Sequence, residues 1–163
     1  MRRIVRHLLT DHLSARRAFP APALKAITDA IATGELRHDG ELRFVIEASL
    51  PLQYLAGKKS ARDRALDLFA QLRVWDTERN SGVLIYVLLA DRAVEIVADR
   101  GINNKVGAGT WDMVCAPMRQ AFAERKFEAG AVAGIAAISD LLAEHFPPEA
   151  KNPNELPDEP VVL

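Results

Sequence analysis

Four oxygen-bearing side chains, Asp76, Glu78, Asn80 and Asp99, have the types and spacing that could do chemistry in this chain. Asp76, Glu78 and Asn80 precede an apolar segment at 83–90, and Asp99 follows the next segment, at 93–98. If these segments pair as an antiparallel hairpin, the start of the first lies beside the end of the second, and the two loops meet at one end of a sheet. Oxygens converging there could hold a hard cation such as Ca2+ or Mg2+. Asn103 and Asn104 could add amide oxygens. The competing arrangement is a solvated loop pair in which Arg79 and Arg100 neutralise the acids. Phosphoryl chemistry would need more: a nucleophile or activated water, and cations facing the phosphoryl oxygens. Asp99 beside Arg100 is a minimal version of such a pair, but the chain has no Cys-x5-Arg loop and no two-metal His/Asp set. His7, His12, His38 and His145 are scattered over expected surface or turn segments. Cys115 sits among helical apolar residues and reads as a buried, inert thiol.

The elements that must position these residues follow from the hydrophobic pattern. The unbroken apolar run at 83–90 fits a strand buried on both faces, and the alternation at 94–98 fits a neighbour with one wetter side. Asp91 and Arg92 make the turn between them. An earlier strand places Leu42, Phe44, Ile46 and Ala48 on one face and Arg43, Val45 and Glu47 on the other. Ser60 is placed to cap a helix carrying Ala61, Ala65, Leu68, Phe69 and Leu72 inward. Helices are also expected over about 3–18 and 23–33, from Thr110 with a kink or boundary near Pro117, and over about 127–145. Gly130, Ala133, Gly134 and Ala137 in the last of these would permit close approach of a neighbour. The order predicts a three-layer α/β/α sandwich around a small mixed sheet: a right-handed parallel crossover plus a C-terminal antiparallel hairpin. Three regions are expected: a basic amphipathic N-terminal helix over 1–22, the domain over 23–146, and a disordered, acidic, proline-rich tail over 147–163.

Composition bounds the function classes. The chain has 21 Lys and Arg against 22 Asp and Glu, so net charge gives no footprint for nucleic acid. One cysteine excludes an internal disulfide. No apolar run is long enough for a membrane span, and Arg6 and His7 interrupt any leader-like stretch, so a cytoplasmic chain is expected. Charge is uneven, however. Arg2, Arg3, Arg6, Arg16, Arg17 and Lys25 face one acid, Asp11, in the first 25 residues. The apolar stripe Ile4, Leu8 and Leu13 is expected to pack on the domain, leaving a weak, salt-sensitive attraction to anionic membranes.

The hairpin resembles the core of the TPM-domain family. That core reads approximately Asp-Asn-Gly-Val-Leu-Leu-Leu-Val, a turn with Asp-Arg-Lys-Val-Arg-Ile, and a Gly-Tyr-Gly-Leu element. Here Asn80-Ser81-Gly82-Val83-Leu84 is followed by Asp91-Arg92-Ala93-Val94-Glu95-Ile96, then Asp99-Arg100-Gly101-Ile102, and later by Phe122, Phe127 and Gly130. The resemblance covers roughly 23–146. Three positions depart from the pattern: Asn80 replaces an Asp, Asp99-Arg100 replaces the first Gly-Tyr, and Arg125 replaces a glycine before the last helix.

The resemblance implies the fold strongly and the function weakly. The family includes a thylakoid acid phosphatase, a photosystem II repair factor and an accessory subunit of acetylcholine receptors, and some members bind calcium. Many carry a secretion signal and a membrane span, and bacterial members are associated with membranes or LemA-type partners. The expected function is therefore an accessory domain that binds a protein partner near a membrane, with Asp76, Glu78, Asn80 and Asp99 as the candidate cation ligands. The alternative is a metal-dependent phosphomonoesterase built on the same loops.

Overall fold

The structure, a computed structural model, describes residues 2–107, 109–149 and 153–163. Its centre is a mixed sheet of β1 (Glu41–Glu47), β2 (Gly82–Leu88), β3 (Ala93–Ala98) and β4 (Val161–Val162), in the order β3-β2-β1-β4. β1 and β2 run parallel with Phe44 opposite Ile85, and β2 and β3 are antiparallel with Ile85 opposite Ile96. Every residue of β1 and β2 is buried, as a continuous apolar strand between two covered faces requires.

Each face has its own core. On one side Phe44, Ile46, Ile85 and Val87 pack against Ile27 and Ile31 of α3 (Ala21–Glu35), Met118 of α7 (Thr110–Ala123), and Ile135 and Ile138 of α8 (Phe127–His145). On the other, Val45, Leu84, Tyr86 and Leu88 meet Tyr54 and Leu55 of α4 (Leu52–Ala56) and Ala65 and Leu68 of α5 (Ala61–Gln71). Ser60 caps α5 through a reciprocal capping box with Asp63. A Cβ on Gly134 would stand 2.3 Å from the Met118 sulfur, so this glycine is what lets α7 and α8 close together. The result is the expected three-layer sandwich.

Several expectations are corrected. Of the kink or boundary expected near Ala116, the boundary is absent: α7 runs on through Pro117. His7 and His38 are buried, not on the surface. The N-terminal helix is broken into α1 (Arg2–Leu9) and α2 (His12–Ala18), because Asp11 caps α2 by accepting the Ser14 amide at 2.9 Å. The apolar stripe of α1 does not pack: Ile4, Val5, Leu8, Leu9 and, in α2, Leu13 are exposed, and Arg3, Arg6 and His7 face the domain instead.

The tail expected to be disordered over 147–163 is docked along 153–163, and before that the Glu149 amide donates to the Asp39 carboxylate. Val161 and Val162 pair with Val45 and Ile46. Before them, the Pro157 and Glu159 carbonyls accept from the Arg43 guanidinium, and the Glu155 and Leu156 amides donate to the Glu41 carboxylate at 3.2 and 3.0 Å. Two charged side chains of β1 thus satisfy a segment that has few apolar residues to bury.

Candidate functional site

The loops that open β2 and close β3 do meet. The Asp99 amide donates to the Gly82 carbonyl at 2.9 Å, and α6 (Arg100–Asn103) starts directly after it. Gly101 packs so closely on the first loop that a Cβ would lie 2.4 Å from the Asn80 carbonyl oxygen. Asn80 itself closes that loop in the left-handed region, at φ 51°, which asparagine tolerates better than most residues. The carboxylates, however, turn to local partners. Asp76 pairs with Arg73 at 2.5 Å, in solvent. The Glu78 side chain is exposed, and its amide donates to the Glu155 carboxylate. One oxygen of Asp99 caps α6 by accepting the Arg100 amide at 2.7 Å, and the other is buried without a partner among the described residues. Among the described residues no group of three or more His, Cys, Asp and Glu is placed to hold a metal ion. As they stand, these donors do not form a cation cage.

Beside this end lies the tail anchor. Burial pushes the Glu41 carboxyl up to about 7, against the two amide hydrogen bonds that favour its charge. Burial, and then the nearby Glu41, pushes Glu35 up to about 9. Both carboxyls bind their protons more tightly in the folded chain than the ordinary value of 4.5 implies for the unfolded one. Their contribution to stability is complete below about pH 4.5; the Glu41 part is lost as pH rises through about 7, and the Glu35 part through about 9. Melting temperature is therefore expected to fall across the neutral range, and Glu41→Gln to flatten the first part of that fall. A melting curve of the wild type that rises with pH between these values would contradict the assignment.

A second cluster escaped the sequence pattern altogether. Glu47 of β1 receives a two-point ion pair from Arg64 of α5, at 2.8 and 3.0 Å, and the Tyr86 hydroxyl at 2.6 Å. The Arg64 guanidinium lies over the Tyr54 ring, 5.0 Å from its centre, and Tyr54 donates to Asp67 at 2.7 Å. Periodicity assigns Glu47 to a strand face but cannot show that α5 covers it. Burial, then the adjacent Glu47 charge, pushes the Tyr86 phenol up, so it is no acid or nucleophile near neutrality. The cluster is a closed, satisfied network and not a reaction centre.

The opposite end of the sheet is basic. A cleft of about 970 Å3 opens past the carboxyl end of β2, with Arg17, Arg92, Arg119, Arg125 and Lys126 on its walls and Glu128 as its lone acid. Open parallel sheets bind ligands at this end of their strands. β2 is seven residues long, so on the order of 20 Å separates this cleft from the Asp76–Asp99 loops. Acids and cations at that distance cannot act on one phosphoryl group. Above the same end, His7 accepts the Leu50 amide on Nδ1 at 3.0 Å and so donates from Nε2 to Asp91, also at 3.0 Å. Cys115 is buried, and that burial raises its thiol to about 11.

A third feature is apolar. Between α7 and α8 runs a groove of about 430 Å3, walled by Met113, Val114, Pro117, Ala133, Ala137 and Leu141. Gly130 and Gly134 face α7, which leaves the alanines of α8 to form the groove floor.

Comparison with known proteins places this geometry. The TPM domain, as a protein family, matches residues 16–141. The NMR structure of the BA42 protein from the psychrophilic bacterium Bizionia argentinensis is similar at 32% identity and a TM-score of 0.78, over 89% of this chain and 95% of that one. No curated protein matches the chain. No helix among the described residues is long and apolar enough to cross a membrane.

Proposed function

The chain belongs to the TPM-domain family, and on that footing we propose that it is an accessory interaction domain, binding a protein partner near a membrane through the α7–α8 groove. The observation that carries this reading is the groove itself. Its walls are almost wholly apolar and Met113 stands 69% exposed at its rim. Methionine adapts to varied apolar surfaces, and small residues on the floor admit the side chains of a partner helix. The partner chemistry that fits is an amphipathic helix offering aliphatic side chains at helical spacing.

Ala133 is exposed, so Ala133→Glu should leave the fold intact while placing a charge on the groove floor. With the partner purified and its affinity measured directly, this substitution is expected to weaken binding at least about tenfold, since an apolar contact is replaced by a desolvated charge. Unchanged affinity would remove the groove as the binding site.

The metal-dependent phosphomonoesterase is the second reading, and the basic cleft is what favours it. The distance from that cleft to the candidate carboxylates weighs against it. Turnover of p-nitrophenyl phosphate with Ca2+ or Mg2+ is expected to be absent, and neither ion is expected to raise the melting temperature, because Asp76 is held by Arg73, the Glu78 side chain is exposed, and Asp99 is left with a single buried oxygen to offer. Metal-dependent turnover abolished by Asp99→Asn would promote the enzyme.

A further inference from the structure

Helix α1 is held to the domain by its polar face. Arg3 donates to Asp91 at 2.8 and 3.0 Å, Arg6 pairs with the same carboxylate, and His7 joins it while also accepting the Leu50 amide. Burial alone would push the Asp91 carboxyl up, but the hydrogen bonds from Arg3, Arg6 and His7 outweigh it and hold the group below the usual carboxylate range. The anchor is therefore charged and stable near neutrality. The opposite face of the helix points away. Ile4 and Val5 are 47% and 49% exposed, Leu8 and Leu9 are 67% and 78%, and Leu13 at the start of α2 is 53%. Single exposed aliphatics are ordinary on a protein surface, but a run of five on adjoining helices is not.

The surroundings are cationic. Arg16 and Arg17 follow Leu13 and are exposed, and neither forms an ion pair among the described residues. Arg17 also lines the basic cleft with Arg92 and Arg125, which are likewise exposed and outside the ion pairs of the described residues. We infer that the outward face of α1 and Leu13, flanked by these arginines, seats the domain on an anionic lipid bilayer. The aliphatic side chains reach the boundary of headgroups and acyl chains, and the arginines meet lipid phosphates. A second copy of the chain fits poorly, because self-docking would bring two cationic patches together. A helix of eight residues is also small beside the roughly 800 Å2 per partner of a stable protein interface. The basic cleft shares Lys126 and Ala129 with the α7–α8 groove, but the outward face of α1 and Leu13 lines no part of that groove, so failure of the leucine variant to lose binding would leave that reading untouched.

The test is co-sedimentation of the full chain with vesicles of equal phosphatidylglycerol and phosphatidylcholine, against vesicles of phosphatidylcholine alone. Binding is expected to the anionic vesicles, to weaken as salt rises, and to fall about tenfold or more in the Leu8→Glu/Leu9→Glu variant. Both leucines are exposed, so circular dichroism should show the variant folded. Arg16→Gln/Arg17→Gln is expected to weaken binding without abolishing it, by roughly fivefold per arginine at about 1 kcal/mol each. No sedimentation with anionic vesicles at low salt would overturn the inference. So would equal binding to neutral vesicles, undiminished binding of the leucine variant, or a dimer that this variant dissociates.

Discussion

Arg64→Ala is expected to cost about 3–5 kcal/mol of folding stability, enough to unfold a marginal domain. The size follows from burial. The Arg64 side chain is 11% exposed and its partner Glu47 is 4% exposed, so this is not a surface ion pair of small worth. Removing the guanidinium leaves a carboxylate between β1 and α5 with only the Tyr86 hydroxyl to serve it. It also strips one of two cations from the Tyr54 ring, leaving Lys59 at 5.1 Å. Urea unfolding measures the loss directly. Adding Glu47→Gln to Arg64→Ala is expected to recover part of it, because the abandoned charge disappears. A loss below about 1 kcal/mol for the single variant would mean that water reaches Glu47 and the network is weaker than its geometry implies.

Deletion of residues 153–163 is the other large effect, again several kcal/mol. It takes two amide donors from buried Glu41 and two carbonyl acceptors from Arg43, which is itself 8% exposed. Each buried polar group left without a partner costs about 1–3 kcal/mol, more when charged. Leu156 leaves the second core, and β4 leaves the outer edge of β1. Thermal unfolding of the shortened chain should show a melting temperature lower by roughly ten degrees or more, at about 2–4 °C per kcal/mol for a chain of this size. A shift of only a degree or two would show that the tail rests on the domain without supporting it.

The sheet is legible in the sequence because β2 is a short unbroken apolar run bounded by polar turns and rich in β-branched residues, which suits a buried strand better than a helix. Hairpin geometry likewise brings the Asp76–Asn80 loop to Asp99. It cannot say where carboxylates point: Arg73 lies three residues before Asp76 and captures it, and one oxygen of Asp99 goes to capping α6. Helical periodicity divides α1 into two faces but does not state which is inside. The polar face won because the Leu50 amide and the Asp91 carboxylate needed His7 and the arginines more than the core needed Leu8. The tail was hidden for a related reason. Proline and acids describe a segment with little to bury, yet its backbone is what Glu41 and Arg43 recognise, and Leu156 joins the second core.

That attachment has a consequence for how the molecule is made. The residues that Arg43 grips lie 114 and 116 positions further along the chain, so they leave the ribosome long after β1 does. Until they arrive, the outer edge of β1 is an open strand edge beside an unpaired guanidinium, the kind of surface on which nascent chains associate. The two residues of β4 act as a closing stitch: they add little area, but they decide when this edge of β1 stops being available to strands from other chains.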